Sequence, residues 1–80
     1  MIYRLTGNKV VGLKQTVKAI KNNNAQTVYI AKDADDKIKQ SVKTLITQDS
    51  PALVYVDTMK ELGKLCGIDV GAATAAILKQ

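Results

Sequence analysis

The chain has 80 residues, of which 46% are hydrophobic, 24% charged and 4% aromatic, and its formal net charge is +5. This length accommodates one compact domain over residues 1–80 and excludes two-domain enzymes. A single cysteine, Cys66, excludes an internal disulfide, and the absence of histidine excludes catalysis by a Ser-His or Cys-His pair. The charged start does not resemble a signal peptide and no apolar run has membrane-spanning length, so we expect a cytoplasmic protein without a membrane partner.

The first predicted elements are a short strand and a helix. The strand is predicted over residues 9–11, where two of the three residues are valine. The helix is predicted over residues 13–23, because apolar residues recur there with the i, i+4, i+7 spacing of one buried stripe. Three asparagines, residues 22–24, end this helix, since asparagine tolerates the left-handed conformation found at helix ends. The stripe consists of Leu13, Val17 and Ile20.

Two strands enclose the second predicted helix. They are predicted over residues 27–31 and 52–56, because both runs are rich in β-branched and aromatic residues. We expect Tyr29 and Tyr55, which lie in these strands, to be buried, and this argues against single-strand binding by stacking of successive bases. The helix is predicted over residues 36–48, behind three aspartates that offer N-cap oxygens. These aspartates are Asp33, Asp35 and Asp36.

The last predicted elements are a third helix and a fourth strand. Thr58 and Glu61 have the spacing of a capping box at a helix start, and Gly67 ends the helix. Cys66 lies on the apolar stripe of this helix, so we assign it to the core rather than to a reactive thiolate. The fourth strand is predicted over residues 71–78, with a helical start of this segment as the alternative.

Strands and helices thus alternate along the whole chain with short connections. Because each apolar helix stripe must be covered by a sheet, this order predicts helices on both faces of one sheet. The predicted fold is an α/β protein, a three-layer α/β/α sandwich with a mixed four-stranded sheet.

Three lysines share one side of the first predicted helix. Lys14, Lys18 and Lys21 fall about a quarter-turn from the apolar stripe, at about 100° per residue. Residues 1–32 hold six basic side chains and no acid, whereas residues 33–80 hold six lysines and seven acids. Such a stripe either faces solvent or binds phosphates, and the residues alone leave both readings open.

The start of the same helix suits an anionic or nucleic-acid ligand. Gly12 permits close approach of another backbone, and the unpaired amides of the first turn attract an anion. Lys14 and Gln15 lie in that turn, and both side chains can donate hydrogen bonds to base edges.

Two motifs typical of phosphate chemistry are incomplete. Residues 7–14 resemble the GxxxxGK[ST] phosphate-binding loop, but Leu13 occupies the lysine position. Residues 33–36 follow a strand like the nucleophile loop of haloacid-dehalogenase-type phosphatases, but Lys37 stands where that loop needs Thr or Val. Helix capping is the favoured interpretation of these aspartates, and three carboxylates alone are too unspecific to predict a magnesium site. We therefore predict no enzymatic activity, no cofactor and no metal.

An apolar loop is predicted between the third helix and the last strand. Ile68 and Val70 lie in this glycine-bounded turn, residues 67–71. They either begin the strand and enter the core, or form a hydrophobic lip against which an unstacked base can rest.

Three segments in register resemble one protein family. Residues 12–18, 31–35 and 61–73 read GLKQTVK, AKDAD and ELGKLCGIDVGAA. In order and spacing they resemble the kink-turn-binding ribosomal protein family, the L7Ae group, and particularly its short bacterial members of YbxF type. The resemblance covers nearly the whole chain. It implies a three-layer α/β/α protein that binds a kink-turn, which is a sharply bent internal loop of RNA.

The resemblance also implies which residues contact RNA. In that family the start of the first helix enters the widened major groove beside tandem G·A pairs, a late apolar loop caps an extruded nucleotide, and an acid can face the extruded base. The residues that match these three roles are, in order, Gly12, Lys14, Gln15 and Lys18; Ile68, Asp69 and Val70; and Asp35. Further candidate contacts to the RNA backbone are Lys9, Lys21, Lys32 and Lys64.

The chain departs from the archaeal and eukaryotic pattern at two places. Lys14 and Gln15 replace Asn-Glu, and Met59 replaces a lysine near the extruded nucleotide, as in the bacterial type. The expected function is therefore binding and stabilisation of kink-turns by a monomer. The expected partner is ribosomal RNA or a riboswitch, without DNA specificity. The alternative is a protein-interaction module of the same fold that does not bind RNA.

Overall fold

The computed structural model describes residues 8–46 and 51–79. Within them the chain forms four strands and three helices in the predicted alternating order. In chain order these elements are β1 (Lys9–Val11), α1 (Leu13–Lys21), β2 (Ala25–Ala31), α2 (Asp36–Leu45), β3 (Ala52–Val56), α3 (Met59–Leu65) and β4 (Thr74–Leu78).

β4 begins at Thr74 rather than at the predicted residue 71, and residues 71–73 are not helical. The ends of three further elements differ from the predicted ones for local reasons. α1 ends at Lys21, two residues earlier than predicted, because Asn23 already adopts the left-handed conformation with φ 55°. β2 begins two residues earlier than predicted, because Ala25 pairs with the end of β4. α2 ends at Leu45, because Ile46 has an extended backbone, and the predicted end of this helix lies outside the described residues.

The strands form one mixed sheet in the order β1-β4-β2-β3. β2 and β3 are parallel, and β4 runs antiparallel to both of its neighbours, β1 and β2. The carboxyl ends of β1, β2 and β3 therefore meet the amino end of β4 at one end of the sheet. We call this region the loop end, and it comprises residues 12–15, 32–35, 57–58 and 66–73.

The helices cover both faces of the sheet, as predicted. Successive residues of a strand point to opposite faces, so each face has its own apolar cluster. α1 and α2 pack around the fully buried Val28, Ile30 and Val42. α3 packs on the other face, where Leu62 and Ala75 are fully buried. Within the described residues no helix is long and apolar enough to cross a membrane.

The buried side of α1 is rotated relative to the predicted stripe. Thr16 and Ala19 are its buried residues, whereas Leu13, Val17 and Ile20 are only partly buried. α1 packs against β4 and α2, so its smaller side chains face the sheet while Leu13 and Ile20 pack at the margin of the cluster. The prediction that Leu13, Val17 and Ile20 form the centre of the buried side is therefore wrong, because Thr16 and Ala19 form it.

The two tyrosines in strands are less buried than the strand pattern predicts. Tyr55 is 42% exposed and Tyr29 is half-buried. In the sheet that the described residues form, β3 is an edge strand paired with β2, so its side chains have a neighbouring strand on one side. The prediction of a buried Tyr55 is wrong. Because the ring is exposed, burial does not keep Tyr55 from contacting a base.

Candidate nucleic-acid interface

Two backbone hydrogen bonds hold the segments of the loop end together. The Gly12 N–H donates to the Thr74 carbonyl with an N to O distance of 2.9 Å, which joins the start of α1 to the start of β4. The Ala31 N–H donates to the Ala73 carbonyl, also over 2.9 Å. Gly12, Lys14 and Gln15 therefore lie at the same end of the sheet as the apolar lip, whereas Lys18 lies further along α1, in its last turn.

The start of α1 leaves its first-turn amides without a side-chain cap. Gly12 is the N-cap residue, with φ 103° and ψ 159°, a conformation that would strain any other residue. It offers no capping side chain, and the first turn contains no acid. The exposed Lys14 and Gln15 therefore lie beside open N–H groups at the positive end of the helix dipole, an arrangement that attracts phosphate.

The predicted lysine stripe of α1 faces solvent. Lys14, Lys18 and Lys21 are exposed and lie away from the side that buries Thr16 and Ala19. Within residues 8–46 and 51–79 none of the three lysines forms a salt bridge. Among the described residues, no acid pairs with the stripe, which presents its positive charge on the helix that begins with the open amides.

The loop between α3 and β4 separates the two apolar residues assigned to it. Ile68 is half-buried and packs against the α3-side cluster. Val70 is 69% exposed, and Asp69 beside it is also exposed. β4 begins only at Thr74, so neither apolar residue starts the strand. Ile68 anchors the loop to the core, whereas Val70 projects an apolar side chain into solvent at the loop end.

Gly63 in α3 seats this loop, and sequence reasoning did not single it out. A Cβ atom at residue 63 would lie 2.0 Å from the Val70 carbonyl oxygen, so the loop would have to move. The Ile68 N–H donates to the Gly63 carbonyl, and the Ala72 N–H donates to the Met59 carbonyl, each over 3.0 Å. A glycine inside a helix costs about 1 kcal/mol relative to alanine. A glycine at position 63 of a predicted helix is therefore the sequence signal that could have indicated a close backbone contact there.

The aspartates after β2 cap two different helices. The Asp35 carboxylate accepts a hydrogen bond from the Lys37 N–H (2.8 Å) and caps α2, as predicted. The Asp33 carboxylate instead accepts from the N–H of Met59 (2.7 Å), the first residue of α3. The assignment of Asp33 to the start of the second helix is therefore wrong. Asp33 ties the loop before α2 to the start of α3.

Asp33→Ala is expected to lower the free energy of unfolding by about 1 kcal/mol, because the Met59 N–H loses its acceptor. The predicted capping box remains, since the Thr58 hydroxyl oxygen accepts from the Glu61 N–H over 3.0 Å. Urea unfolding measures the loss. Asp33→Asn is the matched control, because its amide oxygen still accepts a hydrogen bond. An equal loss in both variants would show that the charge, and not the hydrogen bond, stabilises the helix start.

The further lysines named as contacts to the RNA backbone do not share one surface. Lys21 lies on the α1 stripe. Lys32 lies at the loop end and pairs with Asp57, with Nζ 3.2 Å from the carboxylate oxygen. Lys9 lies on the α3 side of the sheet by strand alternation, and Lys64 lies in the last turn of α3. The sheet therefore separates Lys9 and Lys64 from the lysine stripe.

Cys66 belongs to the core, as predicted. Its side chain is 5% exposed, and burial raises the pKa of its thiol although the positive charge of Lys9 opposes this shift. The thiol is therefore protonated at neutral pH and is a poor nucleophile. Among the described residues, no group of three or more acidic or cysteine side chains is arranged to hold a metal ion.

The sequence is similar to one family over nearly its whole length. Residues 4–80 match the ribosomal protein L7Ae/L30e/S12e/Gadd45 family. The chain is 54% identical, over 68 residues, to an RNA-binding protein of Caldanaerobacter subterraneus, covering 85% of this chain and 83% of that one. It is 44% identical to the RNA-binding protein YbxF of Geobacillus stearothermophilus, covering 91% and 89%. It is 35% identical to the large ribosomal subunit protein eL8 of Halobacterium salinarum, covering 96% and 65%.

The fold is also found in a solved structure. A Bacillus halodurans protein whose function is unknown superposes with a TM-score of 0.78, covering 89% of this chain and 71% of that one. The two sequences are 20% identical, so this likeness concerns the fold alone. The predicted α/β architecture is therefore confirmed both by the topology of the sheet and by this neighbour.

Proposed function

Because the chain belongs to the ribosomal protein L7Ae/L30e/S12e/Gadd45 family, we propose that it recognises and stabilises kink-turn motifs in structured RNA. Relatives that are 54% and 44% identical to it are named RNA-binding proteins. The natural partner in this proposal is a ribosomal RNA or a riboswitch, bound by a cytoplasmic monomer. The function requires no reaction, no cofactor and no DNA specificity.

The observation that carries the proposal is the junction of a positive helix start with an exposed apolar loop. The open amides of α1 lie beside Lys14 and Gln15. The hydrogen bond from Gly12 to Thr74 links this helix start to the strand that follows Val70. A sharply bent RNA crowds its phosphates together and turns a base outward. The positive helix start can bind the phosphates, and the apolar loop can contact the base.

The proposed contacts divide between these two surfaces. Lys14, Gln15 and Lys18 face the widened major groove, where lysines neutralise phosphates and the Gln15 amide both donates to and accepts from base edges. Val70 rests against the extruded base. One Asp35 oxygen caps α2, and its other oxygen is the acceptor that faces that base.

Binding of this kind folds the RNA. A kinked RNA brings phosphates together, so the bent form is costly until cations or lysines neutralise it. A protein that binds only the bent form shifts the population towards it. The shape of the kink and a few base edges then supply specificity.

The test is fluorescence binding of a kink-turn RNA with tandem G·A pairs, beside the same stem with Watson-Crick pairs in their place. We expect tighter binding to the kinked RNA across a salt series, together with bending detected by energy transfer between dyes on the two stems. Equal and steeply salt-dependent binding to both stems would show that the protein attracts RNA only through its positive charge and does not recognise the kink-turn. Binding to neither stem would overturn the RNA proposal and leave the protein-interaction module.

A further inference from the structure

A groove of mixed character runs along one flank of α1. It lies between α1 and the β1 side of the sheet and has a volume of about 170 Å³. Its floor is apolar and is formed by Val10, Ala19 and Leu78. It leads from the loop end along α1 to the turn before β2, so it is continuous with the proposed RNA-binding surface.

The rim of the groove is rich in carboxamides. Gln15, Lys18 and Asn22 follow one another at i, i+3 and i+7 on α1, and Asn24 follows the helix. None of the described residues that line the groove is acidic. A carboxamide donates and accepts hydrogen bonds without a charge, so it suits phosphate oxygens and ribose hydroxyls equally.

The carboxamides of Asn22 and Asn24 are available for a ligand. Both residues are exposed, and neither side chain makes a hydrogen bond within the part of the chain that the structure describes. Asn23 between them differs, because its side-chain oxygen accepts a hydrogen bond from the Lys79 ammonium group over 3.1 Å. The Asn23 side chain therefore serves the fold, whereas the side chains of Asn22 and Asn24 make no such contact within the described residues.

The position of the groove on α1 indicates what fills it. A helix that lies in a nucleic-acid groove has one sugar–phosphate strand along each of its flanks. Lys14 and Lys21 lie on the flank that carries the lysine stripe, and Gln15 and Asn22 lie on the flank that carries the groove. Lys18 lies between them and borders both surfaces.

We infer that the groove binds the sugar–phosphate backbone of the second strand of the same RNA, through the carboxamides of Asn22 and Asn24. This inference rests on the proposed kink-turn binding and extends it to the far flank of α1. The lysine flank releases counterions when it binds phosphate, whereas the carboxamide flank does not. The two flanks should therefore be distinguishable by their dependence on salt.

The test is the double variant Asn22→Ala/Asn24→Ala, titrated with the G·A kink-turn RNA across a salt series. We expect about tenfold weaker binding, the amount that two neutral hydrogen bonds supply, with an unchanged slope of log affinity against log salt. In hydroxyl-radical footprints the variant should lose protection on one strand only. Both substitutions keep negative φ angles, so the urea midpoint should stay unchanged.

The matched control is Asn23→Gly, which removes the carboxamide between Asn22 and Asn24. Glycine adopts the φ of 55° found at this position without strain. We expect this control to bind the RNA with wild-type affinity. Wild-type affinity and an unchanged footprint in the double variant would overturn the inference. Failure of the proposed function would look different, because the wild-type protein itself would then not distinguish the kinked RNA from the Watson-Crick stem.

Discussion

Gly63→Ala is expected to weaken binding to kink-turn RNA about tenfold, because it displaces the loop that carries Val70 and so removes part of the roughly 1.5–3 kcal/mol that burial of a valine side chain against a base contributes. The added Cβ would meet the Val70 carbonyl oxygen at 2.0 Å, and this neighbour is backbone that cannot rotate away. The loop that carries Val70 must therefore shift outward. The loop is also held to α3 by the hydrogen bond from Ile68 to the Gly63 carbonyl, which the shift would weaken.

The same substitution should lower the free energy of unfolding by at most about 2 kcal/mol. Overpacking typically costs about 1–3 kcal/mol, and the better helix propensity of alanine offsets about 1 kcal/mol of this. Urea unfolding gives the stability, and the affinity is measured at a temperature at which the variant is fully folded. A loss of affinity under these conditions therefore reports the displaced loop and not unfolding of the variant.

Val42→Ala is the control for lost stability. Val42 is fully buried in the cluster between α1, α2 and the sheet, so its truncation should cost about 2 kcal/mol without moving the loop at residues 67–71. We expect this variant to keep its RNA affinity. Equal loss of affinity in Val42→Ala and Gly63→Ala would show that general destabilisation, and not loop position, weakens binding.

Val70→Ser tests the loop without a steric clash. The side chain is 69% exposed, so the substitution should change stability by less than about 0.5 kcal/mol. We expect it to weaken RNA binding in the same direction as Gly63→Ala. Full affinity in both variants would mean that the loop does not touch the RNA and that α1 is the whole interface.

Lys18→Ala is expected to weaken kink-turn binding by about tenfold to a hundredfold, the range of one charge-assisted hydrogen bond. Lys18 is exposed and forms no salt bridge within the described residues, so its ammonium group is available for phosphate. Each neutralised phosphate contributes about one unit to the slope of log affinity against log salt. The variant should therefore show a slope that is smaller by about one.

Lys43→Ala is the matched control for Lys18→Ala. Both lysines are exposed and lie in the last turn of a helix, so each substitution removes one charge and the same interaction with a helix dipole. Lys43 belongs to α2 and lies outside the proposed interface. We expect it to change affinity less than twofold. A similar loss in both variants would assign binding to net charge rather than to the α1 surface.

Much of the candidate site could be predicted, because its charges lie on one short helix. The spacing of Lys14, Lys18 and Lys21 predicts their common side whatever the tertiary structure is, and all three are exposed. The two readings of the apolar loop could not be separated in this way. Whether Ile68 or Val70 is covered depends on where the loop meets α3, and that contact is made through Gly63.

The sequence by itself determined the features that depend on residues a few positions apart. The order of strands and helices follows from periodicity, the Asp35 and Thr58 caps follow from local hydrogen bonding, and the core position of Cys66 follows from its helical stripe. Each cap is complete within one turn, and the periodic pattern that marks the buried side is contained within one element. No knowledge of the neighbouring elements is needed to predict them.

Only the tertiary structure decided the features that join distant parts of the chain. The sheet order β1-β4-β2-β3 places β3 at an edge, and this placement exposes Tyr55 despite its strand pattern. Asp33 caps α3 across 26 positions of sequence because the ends of β2 and β3 lie side by side. The physical reason is that hydrogen bonding and burial here depend on which strands are adjacent, and strand adjacency is set by packing of the whole domain.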